Sequence, residues 1–271
     1  IKSSAASDVY KRQFNSHQEG SQGYKELWYR AAKANKELIE TCEDAGMRLI
    51  DDYENLWDAK SYSIAIDELI FGCRAIRATN SFEKYNFPVG LENCRGGNCP
   101  TQTLVDAYEL KDSGERPDKK ADYDKNKPYY EGRDPRFEKT IAKNGDTKWP
   151  NWNETALETY QGGANAEPLS GGTPTGYYLK KYCQTSINTT TAKPTTDNHT
   201  WIIYRLGEFY LNYAEALFKY LGTAYATNNE FPIPANEMVS KTRRRTKVNM
   251  PKFPAGLDNK LWWEKYQNER M

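Results

Sequence analysis

The sequence has few of the residues and motifs from which catalytic and metal centres are built. Its 271 residues include only two histidines, His17 and His199, and no pair of cysteines stands in a Cys-x-x-Cys spacing. A zinc site is therefore not expected. The sequence also contains neither a Gly-x-Ser-x-Gly nucleophile motif nor a phosphate-binding loop. No apolar run is long enough to cross a bilayer. These absences argue against the serine-hydrolase and nucleotide-dependent classes of enzyme.

A strong charge of one sign is lacking as well. The chain has 38 Lys and Arg against 37 Asp and Glu, a net charge of +1. No overall field therefore attracts nucleic acid or anionic lipid, so we expect no nucleic-acid partner. We also expect no cofactor. With so many acids, a carboxylate pair for glycoside hydrolysis stays open, but no pattern singles one out.

The five cysteines are an odd number, so they cannot all pair within the chain. Cys94 and Cys99 flank a short Arg-Gly-Gly-Asn turn. Both a small-loop disulfide and a pair of free thiols fit this spacing.

Aromatic residues are abundant: they make up 13% of the chain, with 20 Tyr and 7 Trp. These side chains combine an apolar ring with a polar tip. They suit half-buried surfaces and sugar-facing platforms, and they can equally replace aliphatic residues in a core.

Helical periodicity marks the two ends of the chain and is missing from its middle. Apolar residues recur every three or four positions over residues 24–45, which predicts a helix ended by Gly46. Residues 62–76 predict a short helix passing into a strand. A long amphipathic helix is expected to begin at Trp201, and further helices near Pro234 and Asn259.

These patterns divide the chain into four segments. Residues 1–13 have no apolar period, and we interpret them as a non-native lead. Residues 14–77 form a helical part, residues 78–200 a loop-rich, ligand-side region with a few short strands, and residues 201–271 a set of repeat-type helices.

Six short motifs in a fixed order resemble the SusD/RagB family. They are Pro-Thr-Gln-x2-Val-Asp-Ala-Tyr (100–108), Arg-Asp-Pro-Arg-Phe (133–137), Asn-Gly (144–145), Thr-Gly-Tyr-Tyr-Leu-Lys-Lys-Tyr (175–182), Tyr-Arg-Leu-x-Glu-x-Tyr-Leu-Asn-Tyr-Ala-Glu-Ala (204–216) and Asn-Glu-Arg (268–270). The resemblance covers roughly residues 24–271. Because members of this family are considerably longer, we expect an internal fragment.

The resemblance implies a mainly α, SusD-like fold, with tetratricopeptide-type helix pairs beside the loop-rich region. It implies a non-catalytic protein of the outer membrane that captures glycans at the cell surface. The partner is expected to be a SusC-like TonB-dependent transporter. The membrane is expected to be contacted through an N-terminal lipid anchor that is absent from this chain. The resemblance implies neither a metal nor a cofactor.

Candidate ligand contacts are aromatic and amide side chains on loops. Two tryptophans three positions apart, in the polar Lys-Trp-Pro-Asn-Trp-Asn loop (148–153), can stack on sugar rings. An aromatic cluster that fixes this loop is the alternative. The candidate residues are Trp149, Trp152, Asn153, Tyr85, Asn93 and Tyr130.

Other interpretations stay open. The same architecture can capture peptides, as RagB-like members of the family do, since peptides also use aromatic anchors. A helical-repeat scaffold that binds proteins is a third interpretation. Such scaffolds normally have short connections between helices, unlike the loop-rich region 78–200. The basic run 243–245 is expected to be a solvated helix face. Gly207 stands where repeat helices commonly have Ala, which close helix packing would accommodate.

Overall fold

The computed structural model describes residues 21–117 and 130–271, which separate into two compact units. The helical unit contains Ile66–Ile70, Tyr204–Met271 and the described part of Ile1–Asp51. The loop-rich unit contains Asp52–Ala65 and the described part of Phe71–Ile203. The expected lead, residues 1–13, lies outside the described residues. Helices dominate and strands are few and short, as predicted for a mainly α fold.

The helical unit begins with α1, Gln22–Asp44. The Ser21 side chain accepts a hydrogen bond from the Tyr24 N–H and caps its start. At the other end Gly46 has φ +82°, and the N–H groups of Gly46 and Met47 donate to the carbonyls of Glu43 and Cys42. This is a Schellman cap, so the prediction that Gly46 ends the helix is confirmed.

Residues 62–76 pass from helix into strand as predicted. Helix α2, Tyr62–Ala65, is followed by β1, Leu69–Arg74, which pairs with β4, Thr200–Arg205. Between them along the chain come α3 (Ser81–Asn86), α4 (Gln102–Ala107), α5 (Pro135–Thr140), β2 (Ile141–Ala142) and β3 (Tyr178–Leu179). Two 3₁₀ turns, Tyr53–Leu56 and Ala59–Ser61, precede α2.

The prediction of a helix from Trp201 was wrong, because residues 200–205 form strand β4. This segment, Thr-Trp-Ile-Ile-Tyr-Arg, is rich in β-branched and aromatic residues, which favour extended backbone. The Leu206 N–H donates to the Glu68 carbonyl, so strand pairing continues up to the first residue of helix α6, Leu206–Leu221. The expected helices near Pro234 and Asn259 are α7, Ala235–Arg243, and α8, Asn259–Arg270.

One continuous core joins the helices of the helical unit. Helix α6 packs against both α1 and α7. Trp262 of α8 stacks on Phe218 of α6 with ring centroids 4.7 Å apart, and the Tyr266 hydroxyl donates to the Leu211 carbonyl at 2.9 Å. The aromatic residues of this segment therefore serve as core.

Buried ion pairs overturn the expectation of a solvated face at Arg243 and Arg245, while Arg244 is exposed as expected. Arg245 is 6% exposed and pairs with the fully buried carboxylate of Glu68, which also accepts from Arg205 at 2.9 Å. Arg243 is 1% exposed and pairs with Glu269 at 2.6 Å. Arg243 and Arg245 are buried here because each pairs with a buried carboxylate, Glu269 and Glu68 respectively.

Gly207 explains how this cluster fits against α6. A Cβ at that position would lie 2.3 Å from the Arg205 Nη1 atom and 2.7 Å from the Arg245 Nη2 atom. Any side chain at position 207 would displace the guanidinium groups. The close packing expected at this glycine is confirmed.

The loop-rich unit has two small hydrophobic clusters in place of one long core. One gathers around Phe87, Trp149 and Tyr178, and the other around Phe137 and Tyr177. Strands β2 and β3 pair antiparallel, with Ile141 opposite Leu179 and Ala142 opposite Tyr178.

Hydrogen bonds from side chains to the backbone hold many of the loops in this unit. Arg133 donates to the carbonyls of Tyr108 and Val105, and Asp134 accepts from the Arg136 N–H at the start of α5. The Arg-Asp-Pro-Arg-Phe motif (133–137) is thus part of the scaffold. No helix among the described residues is long and apolar enough to span a membrane.

Candidate functional site

A pocket of about 550 Å³ opens in the loop-rich unit, beside helix α3 and the turn that follows it. Two of the predicted ligand residues, Tyr85 and Asn93, line it together. Its other lining residues were not predicted from the sequence: Ser81, Lys84, Cys94 and Arg95.

The turn after α3, residues 95–98, is held against this helix by backbone hydrogen bonds. The Gly97 N–H donates to the Tyr85 carbonyl at 2.7 Å, and the Gly96 N–H donates to the Phe87 carbonyl at 2.9 Å. A Cβ at Gly97 would lie 2.2 Å from the Cε1 atom of Tyr85. Only glycine lets the chain pass this close to the ring. One side of the Tyr85 ring is therefore packed, while the side chain as a whole stays 52% exposed.

Asn93, just before this turn, has a left-handed backbone conformation, with φ +63°. Asn is among the residues that tolerate this region. Its Nδ2 atom donates to the Thr189 carbonyl at 2.8 Å and lies 3.3 Å from the Thr191 Oγ1 atom. The neighbouring Glu92 carboxylate accepts from the Thr191 N–H at 2.7 Å. Residues 92–93 are thus tied to the segment 189–191, and this anchors one wall of the pocket.

The thiols at this turn are free: neither Cys94 nor Cys99 forms a disulfide. The Cys94 Sγ atom lies 3.2 Å from the Thr189 hydroxyl. Burial raises the pKa of the Cys94 thiol to about 11, so this thiol is protonated at neutral pH. Of the two alternatives left open by the spacing, the structure has the free thiols, and the one in the pocket is a neutral group.

The lining combines a half-exposed aromatic ring with amide, hydroxyl and cationic groups. Among the described residues, the lining contains no carboxylate. A ring can stack on the C–H face of a sugar while polar groups meet its hydroxyls. Such a surface is suited to holding a polar ligand, and it lacks the acid pair that glycoside hydrolysis uses.

The family comparison agrees with the order of the sequence motifs. A family model described as the SusD family matches residues 68–260, which is most of the chain. The chain belongs to the SusD family. No curated protein matches its sequence.

Solved structures of SusD-like proteins share the fold. A SusD-like carbohydrate-binding protein from Bacteroides fragilis is 21% identical, with a TM-score of 0.74, and the match covers 100% of this chain and 48% of that one. A second SusD-like protein from the same organism is 21% identical with a TM-score of 0.66, covering 97% of this chain and 55% of that one.

A surface glycan-binding protein A from Bacteroides fluxus is 16% identical, with a TM-score of 0.51 over 92% of this chain and 46% of that one. Identities this low establish the fold alone. This SusD-family chain spans about half the length of the structures that it matches.

None of the three candidates in the tryptophan loop lines the pocket. Trp149 is 5% exposed and packs edge-on against Phe87, with ring centroids 5.3 Å apart. Trp152 is half-buried, and its Nε1 atom donates to the Ile187 carbonyl at 2.8 Å. Asn153 is buried and donates to the Thr155 carbonyl at 2.9 Å. This geometry matches the alternative in which an aromatic cluster fixes the loop, while the role of these residues in ligand contact stays a prediction.

Tyr130 lies in a different cluster from the other candidates. Its ring stacks on Phe137 with centroids 5.7 Å apart, and its hydroxyl lies 3.0 Å from that of Tyr177. The structure therefore brings Tyr85 and Asn93 together and leaves Tyr130 apart from them.

A signal for the missed residues was present in the sequence. The Arg-Gly-Gly-Asn turn places Arg95 two residues before Gly97, the glycine that approaches Tyr85, and Lys84 directly precedes Tyr85 on α3. Across residues 21–117 and 130–271 there is no group of three or more His, Cys, Asp and Glu that could hold a metal ion.

Proposed function

We propose that this protein captures glycans at the cell surface and does not cleave them. In this proposal the glycan is handed to a SusC-like TonB-dependent transporter for import. The protein is held at the outer membrane by an N-terminal lipid anchor. Membership of the SusD family supports the transporter and the anchor in this proposal.

The half-exposed ring of Tyr85 in the polar pocket carries the proposal. The ring is pre-positioned by Gly97 and by the backbone of the turn, so little side-chain freedom is lost when a ligand stacks on it. The Asn93 side chain is also held in place, by its hydrogen bond to the Thr189 carbonyl. Pre-organised aromatic and amide groups are what a protein needs to bind a flexible, polar chain of sugars.

Binding without hydrolysis is supported by the chemistry of the lining. An acid and a second carboxylate must flank the scissile bond in the usual glycosidase mechanism. The pocket offers a ring, an amide, a hydroxyl, a neutral thiol and two cations. Two structural relatives are described as carbohydrate-binding and glycan-binding proteins, which agrees with capture as the activity.

Calorimetric titration of the full-length protein with a panel of oligosaccharides tests this proposal. Glycan capture predicts micromolar-to-millimolar binding, about −8 to −4 kcal/mol. The test variant is Tyr85→Ala. The matched control is Tyr160→Ala, since Tyr160 belongs to the same unit, is 55% exposed and does not line the pocket.

Loss of binding in Tyr85→Ala with normal binding in Tyr160→Ala supports capture in this pocket. Equal binding by both variants contradicts the assignment of the pocket. Peptides that bind where no glycan does would favour the RagB-like alternative. Release of reducing sugar by the pure protein would contradict a non-catalytic role.

A further inference from the structure

The part of the chain that the structure describes lines the pocket with two basic side chains and no acidic one. Lys84 comes from α3 and Arg95 from the following turn, and the four other lining residues, Ser81, Tyr85, Asn93 and Cys94, have neutral side chains at neutral pH. This local excess of positive charge contrasts with the net charge of +1 for the whole chain.

Neither cation is neutralised by an ion pair within the part of the chain that the structure describes. The acids adjacent to them in sequence have other partners. The Oε1 atom of buried Glu83 accepts from the Gln184 N–H and lies 2.8 Å from the His199 Nε2 atom. The carboxylate of Glu92 accepts from the Thr191 N–H. Lys84 and Arg95 therefore line the pocket without an ion-pair partner among the described residues.

We propose that the pocket selects anionic glycans, whose sugar rings carry carboxylate or sulfate groups. This inference rests on the proposed glycan capture and adds the class of glycan. The Tyr85 ring receives the C–H face of a sugar, and Lys84 and Arg95 receive the anionic substituent. The planar guanidinium of Arg95 matches two oxygens of either group, and such charge-assisted hydrogen bonds are stronger than neutral ones.

A neutral glycan fits this lining less well. Binding it would partly remove water from two cations without providing an opposite charge, which is unfavourable. The arrangement of the pocket therefore favours an anionic over a neutral sugar, and this preference can be measured directly.

The test uses pairs of oligosaccharides that differ only in charge, titrated calorimetrically into the full-length protein. One pair is a glucuronate-containing oligosaccharide and its carboxyl-reduced form, and the other is a sulfated oligosaccharide and its desulfated form. The variant Lys84→Gln/Arg95→Gln removes the two cations. The control Lys60→Gln/Lys111→Gln removes two exposed lysines of the same unit that do not line the pocket.

At least one anionic member should bind about tenfold or more tightly than its neutral counterpart. The double variant of the pocket should lose this preference, while the control keeps it and circular dichroism shows both to be folded. The pair that shows the preference identifies carboxylate or sulfate as the group.

Equal affinity for both members of each pair overturns the inference and leaves glycan capture intact. Equal weakening of charged and neutral ligands by the pocket variant also overturns it, because charge is then not what the pocket recognises. If no glycan of either kind binds, the proposed function fails together with this inference. Displacement of the anionic glycan by poly-glutamate at lower concentrations than by free glycan would overturn it in favour of an acidic peptide.

Discussion

The two units of this SusD-family chain are stabilised in different ways. In the helical unit, α1, α6, α7 and α8 share one core, and Glu68 at the centre of its charged cluster is fully buried. In the loop-rich unit, two smaller clusters are supplemented by hydrogen bonds from side chains to the backbone and by close approaches at glycine. The second arrangement fixes the backbone without burying every large side chain.

This difference explains why the candidate site lies in the loop-rich unit. A residue such as Tyr85 can be held in place by Gly97 and by two backbone hydrogen bonds and still expose half of its surface. In the helical unit the aromatic rings of Phe218 and Trp262 stack on each other within the core. Loops positioned by a rigid scaffold commonly carry binding residues for this reason.

The largest loss of stability is expected from Glu68→Ala in the helical unit. The substitution leaves Arg245 buried without its carboxylate, which costs about 3–5 kcal/mol. Urea unfolding measures the loss. The matched control is Glu237→Ala. Glu237 forms an exposed ion pair with Lys252, and the loss of this pair should cost at most about 1 kcal/mol. Equal effects of the two substitutions would show that the buried cluster has no special role.

The same cluster predicts how stability depends on acid. Burial alone would raise the pKa of Glu68, but its hydrogen bonds and its attraction to Arg245 and Arg205 hold the pKa below its usual range. A depressed folded-state pKa contributes stability above the unfolded value of about 4.3, and this contribution is lost as pH falls toward the folded value. Wild type should lose more stability than Glu68→Ala as the pH is lowered from 5 through about 4 and below.

Trp149→Ala should destabilise the loop-rich unit by about 3–5 kcal/mol, because it empties the centre of the Phe87 cluster. Trp149→Phe should cost less, since the indole N–H has no hydrogen-bond partner among the described residues. Thermal unfolding and calorimetric titration of both variants check this. Loss of glycan binding by a fully stable Trp149→Phe would instead support direct ligand contact by Trp149.

Gly97→Ala is expected to cost about 1–3 kcal/mol, because the new methyl group overlaps the Tyr85 ring. It should also weaken glycan binding by moving this ring. Gly46→Ala, in the helical unit, has open space at the Cβ but a positive φ, so its cost of about 1 kcal/mol should leave binding unchanged. Binding unaffected by Gly97→Ala would mean that the position of Tyr85 does not matter.

The smallest effects are expected at Asn93. Asn93→Gly keeps the left-handed conformation and loses the hydrogen bond to Thr189, at about 1 kcal/mol. Asn93→Ala loses the same bond and adds backbone strain, so it should be the less stable of the two by about 1 kcal/mol. Chemical denaturation of both variants gives the order, and the reverse order would exclude the left-handed turn.

The helical unit was largely predictable from the sequence because local patterns determine it. The period of α1 and the glycine at its end are local features, and both were confirmed. Strand β4 was not predicted, because the run Trp201–Tyr204 fits an amphipathic helix as well as a strand. Only the partner strand decides between the two. The burial of Arg245 depends on Glu68, 177 residues away in the chain, which no local pattern reveals.

The candidate site was predictable only in part. Tyr85 and Asn93 were proposed as polar and aromatic loop residues, and the structure places them in one pocket. Trp149 met the same criterion and is buried, because the packing that covers it comes from Phe87, distant in sequence. Residue type and loop position therefore identify candidates, but exposure is decided by tertiary contacts.

The most direct test is a crystal structure of the full-length protein bound to an oligosaccharide that calorimetry shows to bind. Our account predicts a sugar ring stacked on Tyr85, with Asn93 at its edge and the tryptophan loop unchanged. A glycan bound elsewhere on the protein, with this pocket empty, would contradict it.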